Sequence, residues 1–343
     1  MKISFCNHYS LSHGGGGERV IIEAANFLAA RGNEVEIHSL PLRRKNVAFT
    51  LRRDVKYCEG WVHKFNADVA YYNYQPLLTY LFLSQAPKIA GLHGANVTDY
   101  EGGSSEYLKE GPLLAGAWVI RKITGDSLLR SFNAVHTVNP DGLPIKHNMI
   151  FSIPNWIDTS RTRLDLKFEK PDKFRVLYVG KAFKIKGFET FIKVSKLFDQ
   201  DDIEFVATVD CGHCGKAKCI GYIPHDQIWE LYAKGGVLLY PTQRDAFGIA
   251  ILESLASGTP VITTPVSGHR SLKVPLFYAY ATDIIRISYL IIQIYSLWKS
   301  DYEAYLRLAR QGIEAAYKYD SSVILPKFES MLYKVAEHSA NMV

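Results

Sequence analysis

The sequence has few cysteines and no long apolar run that is free of charge. Its five cysteines are an odd number, which argues against the disulfide framework of a small secreted domain. The most apolar region, 276–298, contains Asp283 and Arg286, and this favours a buried helix over a membrane span. Residues 1–6 predict a short strand, followed by polar residues and glycines, so no signal peptide is expected. These absences predict a cytoplasmic protein.

The chain also lacks a nucleic-acid-binding motif, internal repeats and low-complexity tracts. Its net charge of +6 over 343 residues is mild and suits an anionic substrate or an anionic membrane surface, so nucleic acid is not an expected partner. Basic and apolar residues mix in 42–45, in 51–53 and around 121–122. The two interpretations that remain open are peripheral contact with the cytoplasmic face of an anionic membrane and a solvated charged surface.

The length and the apolar content of 48% allow a large core, and the length alone predicts two domains. Short apolar runs alternate with helical patterns, which is typical of parallel α/β sheets. We predict a first Rossmann-like domain over 1–158, a linker over 159–173 and a second such domain over 174–320. Strands are predicted at 2–6, 34–39, 68–72, 88–92, 134–138, 150–153, 175–179, 203–209, 236–240 and 261–264, and helices at 18–31, 104–132, 188–199, 225–234, 281–298, 302–317 and 321–337.

Residues 245–260, DAFGIAILESLASGTP, predict a loop, a helix, a glycine stop and the start of a strand. Asp245 then lies in the loop above the helix N-terminus, and Glu253 lies within the first turns. Backbone N–H groups around Gly248 and Ile249 would be available to an anion. An Asp that only caps the helix, with a solvated Glu, is the alternative.

A glycine-rich loop, Gly14 to Gly17, lies between the first predicted strand and the first predicted helix. Backbone N–H groups at the positive end of a helix dipole can bind phosphate. NAD-dependent oxidoreductases use a similar loop, but the fingerprint G-x-G-x-x-G is not met here. A flexible glycine turn is the structural alternative.

Two lysines follow the first strand of the predicted second domain. Lys181 lies at the strand end and Lys186 comes five residues later in the loop. Cations at the carboxyl end of a parallel sheet can neutralise a diphosphate leaving group. Lys184 is an alternative candidate, and a solvated basic loop is the alternative interpretation. His93, at the tip of another predicted strand, is a further candidate, and we expect it to titrate near neutral pH.

These motifs together resemble those of GT-B glycosyltransferases of family 4, which are retaining enzymes that use nucleotide sugars. The segment from Asp245 to Glu253 resembles the family signature Glu-x7-Glu, with Asp in place of the first Glu. GGGGERV at 14–20 resembles its GGxER loop, and PNWID at 154–158 resembles the turn before its interdomain linker. VGK at 179–181 resembles its Gly-Arg pattern, with Lys in place of Arg.

The resemblance implies an α/β fold of GT-B type, in which two Rossmann-like domains face a cleft and residues 321–343 cross back to the first domain. It implies transfer of a hexosyl group, with retention, from a UDP-, GDP- or ADP-linked sugar to a glycan, lipid-linked or small-molecule acceptor. Neither a cofactor nor a catalytic metal is expected. A weakly catalytic protein that binds sugar nucleotides or a membrane surface is the alternative hypothesis, and an NAD-dependent oxidoreductase is a further one.

The resemblance also assigns residues. The catalytic candidates are His93, Lys181, Lys186 and Asp245. The donor-binding candidates are Gly15, Gly16, Phe247, Gly248, Ile249 and Glu253, and Tyr9 is the candidate near the acceptor.

Three cysteines, Cys211, Cys214 and Cys219, follow the spacing Cys-x2-Cys-x4-Cys. Three thiolates with His213 or His225 as a fourth ligand would suit structural zinc. A glycine-rich loop without metal and a disulfide are the alternatives.

Overall fold

The chain divides into two compact units in a computed structural model. The model describes residues 1–43, 47–76, 78–93, 112, 116, 119–120, 123, 127–142, 145–211 and 214–340. Unit 1 consists of Met1–Trp156 with Ser322–Val343, and unit 2 consists of Ile157–Ser321. His213, most of the predicted helix 104–132 and the basic residues Arg44, Lys45, Arg121 and Lys122 lie outside the described residues.

Unit 1 contains a sheet of seven strands in which every neighbouring pair is parallel. The described strands of unit 1 are β1 Lys2–Asn7, β2 Glu34–Ser39, β3 Val55–Glu59, β4 His63–Lys64, β5 Val69–Asn73, β6 Phe82–Leu83, β7 Lys88–Leu92, β8 Ala134–Thr137 and β9 Ile150–Ser152. The order is β3-β2-β1-β5-β7-β8-β9, and β4 and β6 form a separate pair. Because all the strands of the large sheet run the same way, their carboxyl ends share one edge, where such sheets bind ligands.

Two long helices cover this sheet, Gly16–Ala30 and Ser321–Ala340, and short 3-10 helices lie at Leu11–His13, Thr79–Leu81 and Ser127–Ser131. The last helix buries Phe328 among aromatic rings. The Phe328 ring centroid lies 6.4 Å from that of Phe5, 5.0 Å from that of Tyr71 and 5.7 Å from that of Trp156. The C-terminal helix is therefore part of the core of unit 1.

Unit 2 contains a second parallel sheet. Its strands are β10 Phe174–Tyr178, β11 Ile203–Ala207, β12 Lys218–Cys219, β13 Val237–Tyr240, β14 Val261–Thr263 and β15 Phe277–Tyr278, in the order β12-β11-β10-β13-β14-β15. Its helices are Leu164–Phe168, Phe188–Ser195, Ile228–Ala233, Ile249–Ala256, Ser267–Arg270, Ile284–Ser300 and Tyr302–Tyr317, with 3-10 helices at Thr159–Arg161 and Lys184–Lys186.

Residues 284–298 of the apolar region 276–298 lie in the helix Ile284–Ser300, which packs on the core of unit 2 through Ile287, Ile291 and Ile294. This spacing places one apolar stripe toward the sheet and leaves the other face to solvent, as the charged residues in the sequence indicated. Within the described part of the chain, no helix combines the length and the apolarity needed to cross a bilayer.

The segment 159–173, predicted as a linker, belongs to unit 2. Ile157 pairs with Asp320 in an isolated bridge, and the N–H of Ser321 donates to the carbonyl of Ile157 over 2.8 Å. Lys167 in this segment is fully buried, and its ammonium donates to the carbonyl of Gly235. The predicted linker segment therefore packs against the rest of unit 2.

Candidate functional site

The loop after β10 carries Lys186 in the 3-10 helix Lys184–Lys186. Gly187 follows with φ +78° and is the N-cap of the helix Phe188–Ser195. A β-carbon at Gly187 would lie 2.1 Å from the carbonyl oxygen of Pro241, which follows β13. Only glycine allows both the left-handed backbone and this close approach. It therefore brings the loop that carries Lys186 against the segment that follows β13.

Asp245 lies in the loop after β13 and forms an ion pair with Lys186. The Lys186 Nζ lies 3.1 Å from Asp245 Oδ2, and the Tyr240 hydroxyl donates to the same oxygen over 2.7 Å. The N–H of Phe247 donates to the other carboxylate oxygen over 3.3 Å. Burial raises the pKa of Asp245, but Lys186, His269 and Tyr240 lower it more, so the pKa lies well below its usual value. The carboxylate is therefore ionised beside a cation at the carboxyl edge of the sheet.

His269 is a component of this site that sequence reasoning did not identify. Its ring is fully buried, and its Nε2 lies 3.8 Å from Asp245 Oδ2. Its Nδ1 lies 2.9 Å from the Thr263 hydroxyl and 3.1 Å from the carbonyl of Thr264. Because the Thr263 hydroxyl already donates to the carbonyl of Tyr240, Nδ1 carries the hydrogen.

Glu253 lies in the helix Ile249–Ala256, whose N-cap is Gly248 with φ +86°. Its carboxylate is buried and engaged on both oxygens: His225 Nε2 lies 2.9 Å from Oε1, and the Tyr232 hydroxyl donates to Oε2 over 3.2 Å. The spacing of the two acids could not show that His225 and Tyr232 would hold the second one.

The remaining candidates of unit 2 lie around these groups. Ile249 is the first residue of the helix that carries Glu253, and Phe247 is buried with its ring centroid 6.0 Å from that of Tyr319. Lys181 is exposed, and its ammonium lies 5.9 Å from the centre of the Phe183 ring. The structure thus joins Lys186 and Asp245 directly, whereas Lys181 reaches toward solvent from the same loop.

In unit 1, His93 ends a chain of hydrogen bonds. The Tyr71 hydroxyl lies 2.6 Å from His93 Nε2 and 2.6 Å from His136 Nδ1, and His136 Nε2 lies 2.8 Å from the carbonyl of Ile153. A carbonyl only accepts, so His136 carries its hydrogen on Nε2, and the Tyr71 hydroxyl must donate to Nδ1. The Tyr71 oxygen then accepts from His93 Nε2–H, and His93 Nδ1 is left as an acceptor.

Burial lowers the pKa of His93 to about 3 and the pKa of His136 to about 4. The expectation that His93 titrates near neutral pH is therefore wrong, because desolvation disfavours the imidazolium. His93 Nδ1 is buried and makes no hydrogen bond of good geometry among the described residues, although the Asn155 side chain lies close enough to raise the pKa of the ring. A neutral ring with an open acceptor is suited to binding a hydroxyl.

The glycine-rich loop forms the N-terminus of the helix Gly16–Ala30, with Gly15 as its N-cap. The N–H of Gly15 donates to the carboxylate of Glu18 over 2.9 Å. This carboxylate therefore occupies one of the backbone donors expected to bind phosphate. Nearby, the ring of Tyr9 stacks on that of His13 with 4.4 Å between centroids.

The three clustered cysteines also come together. The Sγ atoms of Cys211, Cys214 and Cys219 lie within 4.8 Å of one another. Of the two candidate fourth ligands for zinc, His225 contacts Glu253 instead, and His213 lies outside the described residues.

Comparison with known proteins finds a family match in the second unit. Residues 161–276 match the family model for glycosyl transferases group 1. The chain is 23% identical over 199 residues to an uncharacterized glycosyltransferase, MJ1607, of Methanocaldococcus jannaschii. That alignment covers 53% of this chain and 50% of the relative, so the chain spans about half the length of this curated protein.

Solved structures match almost the whole chain. Sucrose-phosphate synthase from Thermosynechococcus elongatus has a TM-score of 0.76 at 15% identity, covering 98% of this chain and 99% of that chain. HepE from Anabaena, in complex with UDP and glucose, has a TM-score of 0.71 at 14% identity, covering 97% and 100%. Likeness at such low identity establishes the fold alone, and it confirms the predicted GT-B fold. The chain therefore has the GT-B fold of glycosyltransferases, and its residues 161–276 match the family model for glycosyl transferases group 1.

Proposed function

We propose that the protein is a retaining glycosyltransferase that moves a hexosyl group from a nucleoside diphosphate sugar to an acceptor hydroxyl. The observation that carries the proposal is the contact of Lys186 with Asp245. The two residues come from loops after neighbouring parallel strands, and each loop leads into a helix capped by a glycine, Gly187 or Gly248. Cations and helix N-termini at the carboxyl edge of a parallel sheet suit a sugar diphosphate.

The charged residues of unit 2 have separate roles in the proposed reaction. Lys186, assisted by Lys181, neutralises the departing diphosphate, together with the N–H groups at the start of the helix Ile249–Ala256. The ionised Asp245 orients the sugar and stabilises the positive charge that develops at its anomeric carbon. Glu253 binds the ribose hydroxyls. Because Asp245 and Lys186 already hold each other, both side chains are positioned before the donor arrives.

The candidates of unit 1 complete the assignment. His93 accepts a hydrogen bond from a hydroxyl of the sugar through its open Nδ1. Gly15 and Gly16 contact the donor diphosphate, which requires the Glu18 carboxylate to release the Gly15 N–H. Tyr9 lies near the acceptor.

The donor we favour is UDP-linked, because HepE, with the same fold, was solved with UDP and glucose. GDP- and ADP-linked sugars are the other members of the proposed donor class, and the acceptor is a glycan, a lipid-linked sugar or a small molecule. We propose that the enzyme works in the cytoplasm, with peripheral contact to an anionic membrane through the basic surface of unit 1.

A thermal-shift screen against UDP, GDP, ADP and their sugars tests donor binding, because a ligand that binds only the native state raises the apparent melting temperature. Release of the nucleoside diphosphate from the donor that binds then tests catalysis. Lys186→Met should lower turnover by about 100-fold or more. Lys184→Met, in the same 3-10 helix but exposed, should retain near wild-type turnover. Equal losses in the two variants would contradict the role of Lys186.

Glu253→Gln tests the ribose contact separately. We expect the Kd of the nucleoside diphosphate to rise about tenfold, since the charged acceptor of two hydroxyls becomes a neutral amide. The amide keeps one oxygen for one of the two partners, and the Tyr232 hydroxyl can accept from its NH2 group, which limits the structural damage. Nucleotide binding without turnover in the wild-type protein would favour the alternative of a sugar-nucleotide-binding protein.

A further inference from the structure

The three clustered cysteines lie outside the proposed donor site and have no role in the proposed reaction. Cys211 and Cys214 lie in the loop after β11, and Cys219 is the last residue of the edge strand β12. All three Sγ atoms fall within 4.8 Å of one another. Cys214 is buried, and the other two are half-buried against the core of unit 2. A loop and a strand therefore deliver three thiols to one point.

The backbone around Cys214 is fixed by a tight turn. Gly215 follows it with φ +62°, a conformation that favours glycine, and the N–H of Ala217 donates to the carbonyl of Cys214 over 3.1 Å. Cys219 is held from the other side, because its strand pairs with β11 at Ala207. The convergence of the three thiols thus follows from the turn and from the sheet register.

Cys214 Sγ contacts both Cys211 Sγ and Cys219 Sγ. One sulfur can form a disulfide with only one of these partners, so a disulfide would leave the third thiol beside it without a bond. A metal ion binds all three at once. Three sulfur atoms that all lie within 4.8 Å of one another are close enough together for one metal ion to bind all of them.

We propose that Cys211, Cys214 and Cys219 bind one Zn²⁺ ion as thiolates. Each thiol releases its proton to solvent on binding, and nothing is oxidised or reduced. A ligand outside the three cysteines completes the fourth position. The ion fastens the two-residue strand β12 and the loop before it to the edge of the sheet, so it stabilises the structure of unit 2 and takes no part in group transfer.

Metal analysis of the full chain, produced with zinc in the medium and purified under reducing conditions, tests the proposal. We expect about one zinc ion per chain in the wild-type protein. Cys214→Ser should lower the zinc content to near zero. Cys58→Ser, which removes a half-buried cysteine of β3 in unit 1, should leave it unchanged. A chelator should lower the melting temperature of the wild-type protein and of Cys58→Ser.

Substitution of Co²⁺ into the wild-type protein keeps the test decisive if Cys214→Ser does not fold. Three thiolate ligands produce an intense sulfur-to-cobalt charge-transfer band, and Cys219→Ser should weaken it. The proposal is overturned if the wild-type protein holds no zinc, if peptide mapping finds a disulfide within the cluster instead, or if Cys58→Ser loses the metal equally.

Discussion

At the scale of single residues, Asp245 derives its ionised state from its neighbours. Burial alone would favour the neutral acid, yet Lys186 and the Tyr240 hydroxyl both contact the same carboxylate oxygen. An anion that is already compensated by a cation keeps its charge when solvent leaves the site. The same pair is therefore important both for the stability of unit 2 and for the proposed chemistry.

Asp245→Asn should lower the free energy of unfolding by about 1–3 kcal/mol at pH 7, because it leaves Lys186 without its anion. The folded-state pKa of Asp245 lies below the unfolded value of 3.8. The stabilisation by this carboxylate is therefore present above that value and is lost as the pH falls through the folded pKa. Urea unfolding at several pH values measures the difference.

Asp226→Asn, an exposed position of the same unit, is the control and should change stability by less than about 0.5 kcal/mol. If the Asp245→Asn penalty stayed constant down to the lowest pH at which the protein folds, this assignment of charge would be wrong.

The tautomer of His93 depends on the hydroxyl of Tyr71. Tyr71→Phe removes the oxygen that accepts from His93 Nε2–H and donates to His136. We expect the nitrogen-15 shifts of His93 to show mixed tautomers in this variant and a single Nε2–H tautomer in the wild-type protein.

Tyr72→Phe is a matched control, since Tyr72 is the neighbouring buried tyrosine of β5 and its hydroxyl donates to the carbonyl of Phe82. It should leave the His93 shifts unchanged. A wild-type tautomer pattern in Tyr71→Phe would show that other contacts fix the ring.

At the scale of elements, Gly187 joins β10, the 3-10 helix that carries Lys186 and the helix Phe188–Ser195. Two requirements meet there: a positive φ and contact with the backbone of Pro241. Gly221 of the same unit has a similar φ of +76° but no atom within 4 Å of a β-carbon built on it. Comparing substitutions at Gly187 and Gly221 therefore distinguishes the cost of backbone strain from the cost of steric crowding.

Gly221→Ala should lower the free energy of unfolding by about 1–2 kcal/mol through backbone strain alone. Gly187→Ala should cost about 3 kcal/mol or more, because the new methyl group also displaces the loop from Pro241. Denaturant unfolding of both variants gives the comparison, and equal losses would mean that the contact with Pro241 relaxes without cost.

The strands and helices are largely predictable from the sequence. Buried parallel strands are continuous apolar runs, and the helices carry an apolar stripe. The strand Val55–Glu59 is an exception: of its five residues only Val55 is buried, so the strand left no apolar run. The acids at 245 and 253 could be placed on their loop and helix. The contacts of His269 with Asp245 and of His225 with Glu253 could not, because they join loops and helices that are distant in sequence.

At the scale of the whole molecule, one buried lysine makes the stability depend on pH in the alkaline range. Lys167 is fully buried, and its contacts are the carbonyl of Gly235 and the hydroxyl and ring of Tyr305. No carboxylate contacts its ammonium among the described residues. Burial lowers its pKa from 10.5 to about 7. Burial of this charge in the segment 159–173 therefore lowers the stability of unit 2.

Because the folded pKa of Lys167 lies below the unfolded one, folding expels its proton between pH 7 and pH 10.5. The cost of burying the charge is complete below pH 7 and is relieved as the pH rises through this window. Lys167→Met should thus stabilise unit 2 by several kcal/mol below pH 7, because each tenfold loss of proton affinity on folding costs about 1.4 kcal/mol. The gain should shrink as the pH approaches 10.5.

Unfolding followed from pH 6 to pH 10 measures this change. Lys173→Met, at an exposed position of the same segment, should give a small difference that does not vary with pH. A flat profile for Lys167→Met as well would mean that the buried ammonium is not the cause.

The way in which the chain returns to unit 1 determines when that unit can be completed during synthesis. Phe328, which packs against Phe5, Tyr71 and Trp156, is translated after every residue of unit 2. On the ribosome, the first 156 residues emerge with a gap in their aromatic core, while the later unit is made without interruption. The half that is translated first is therefore the half that matures last.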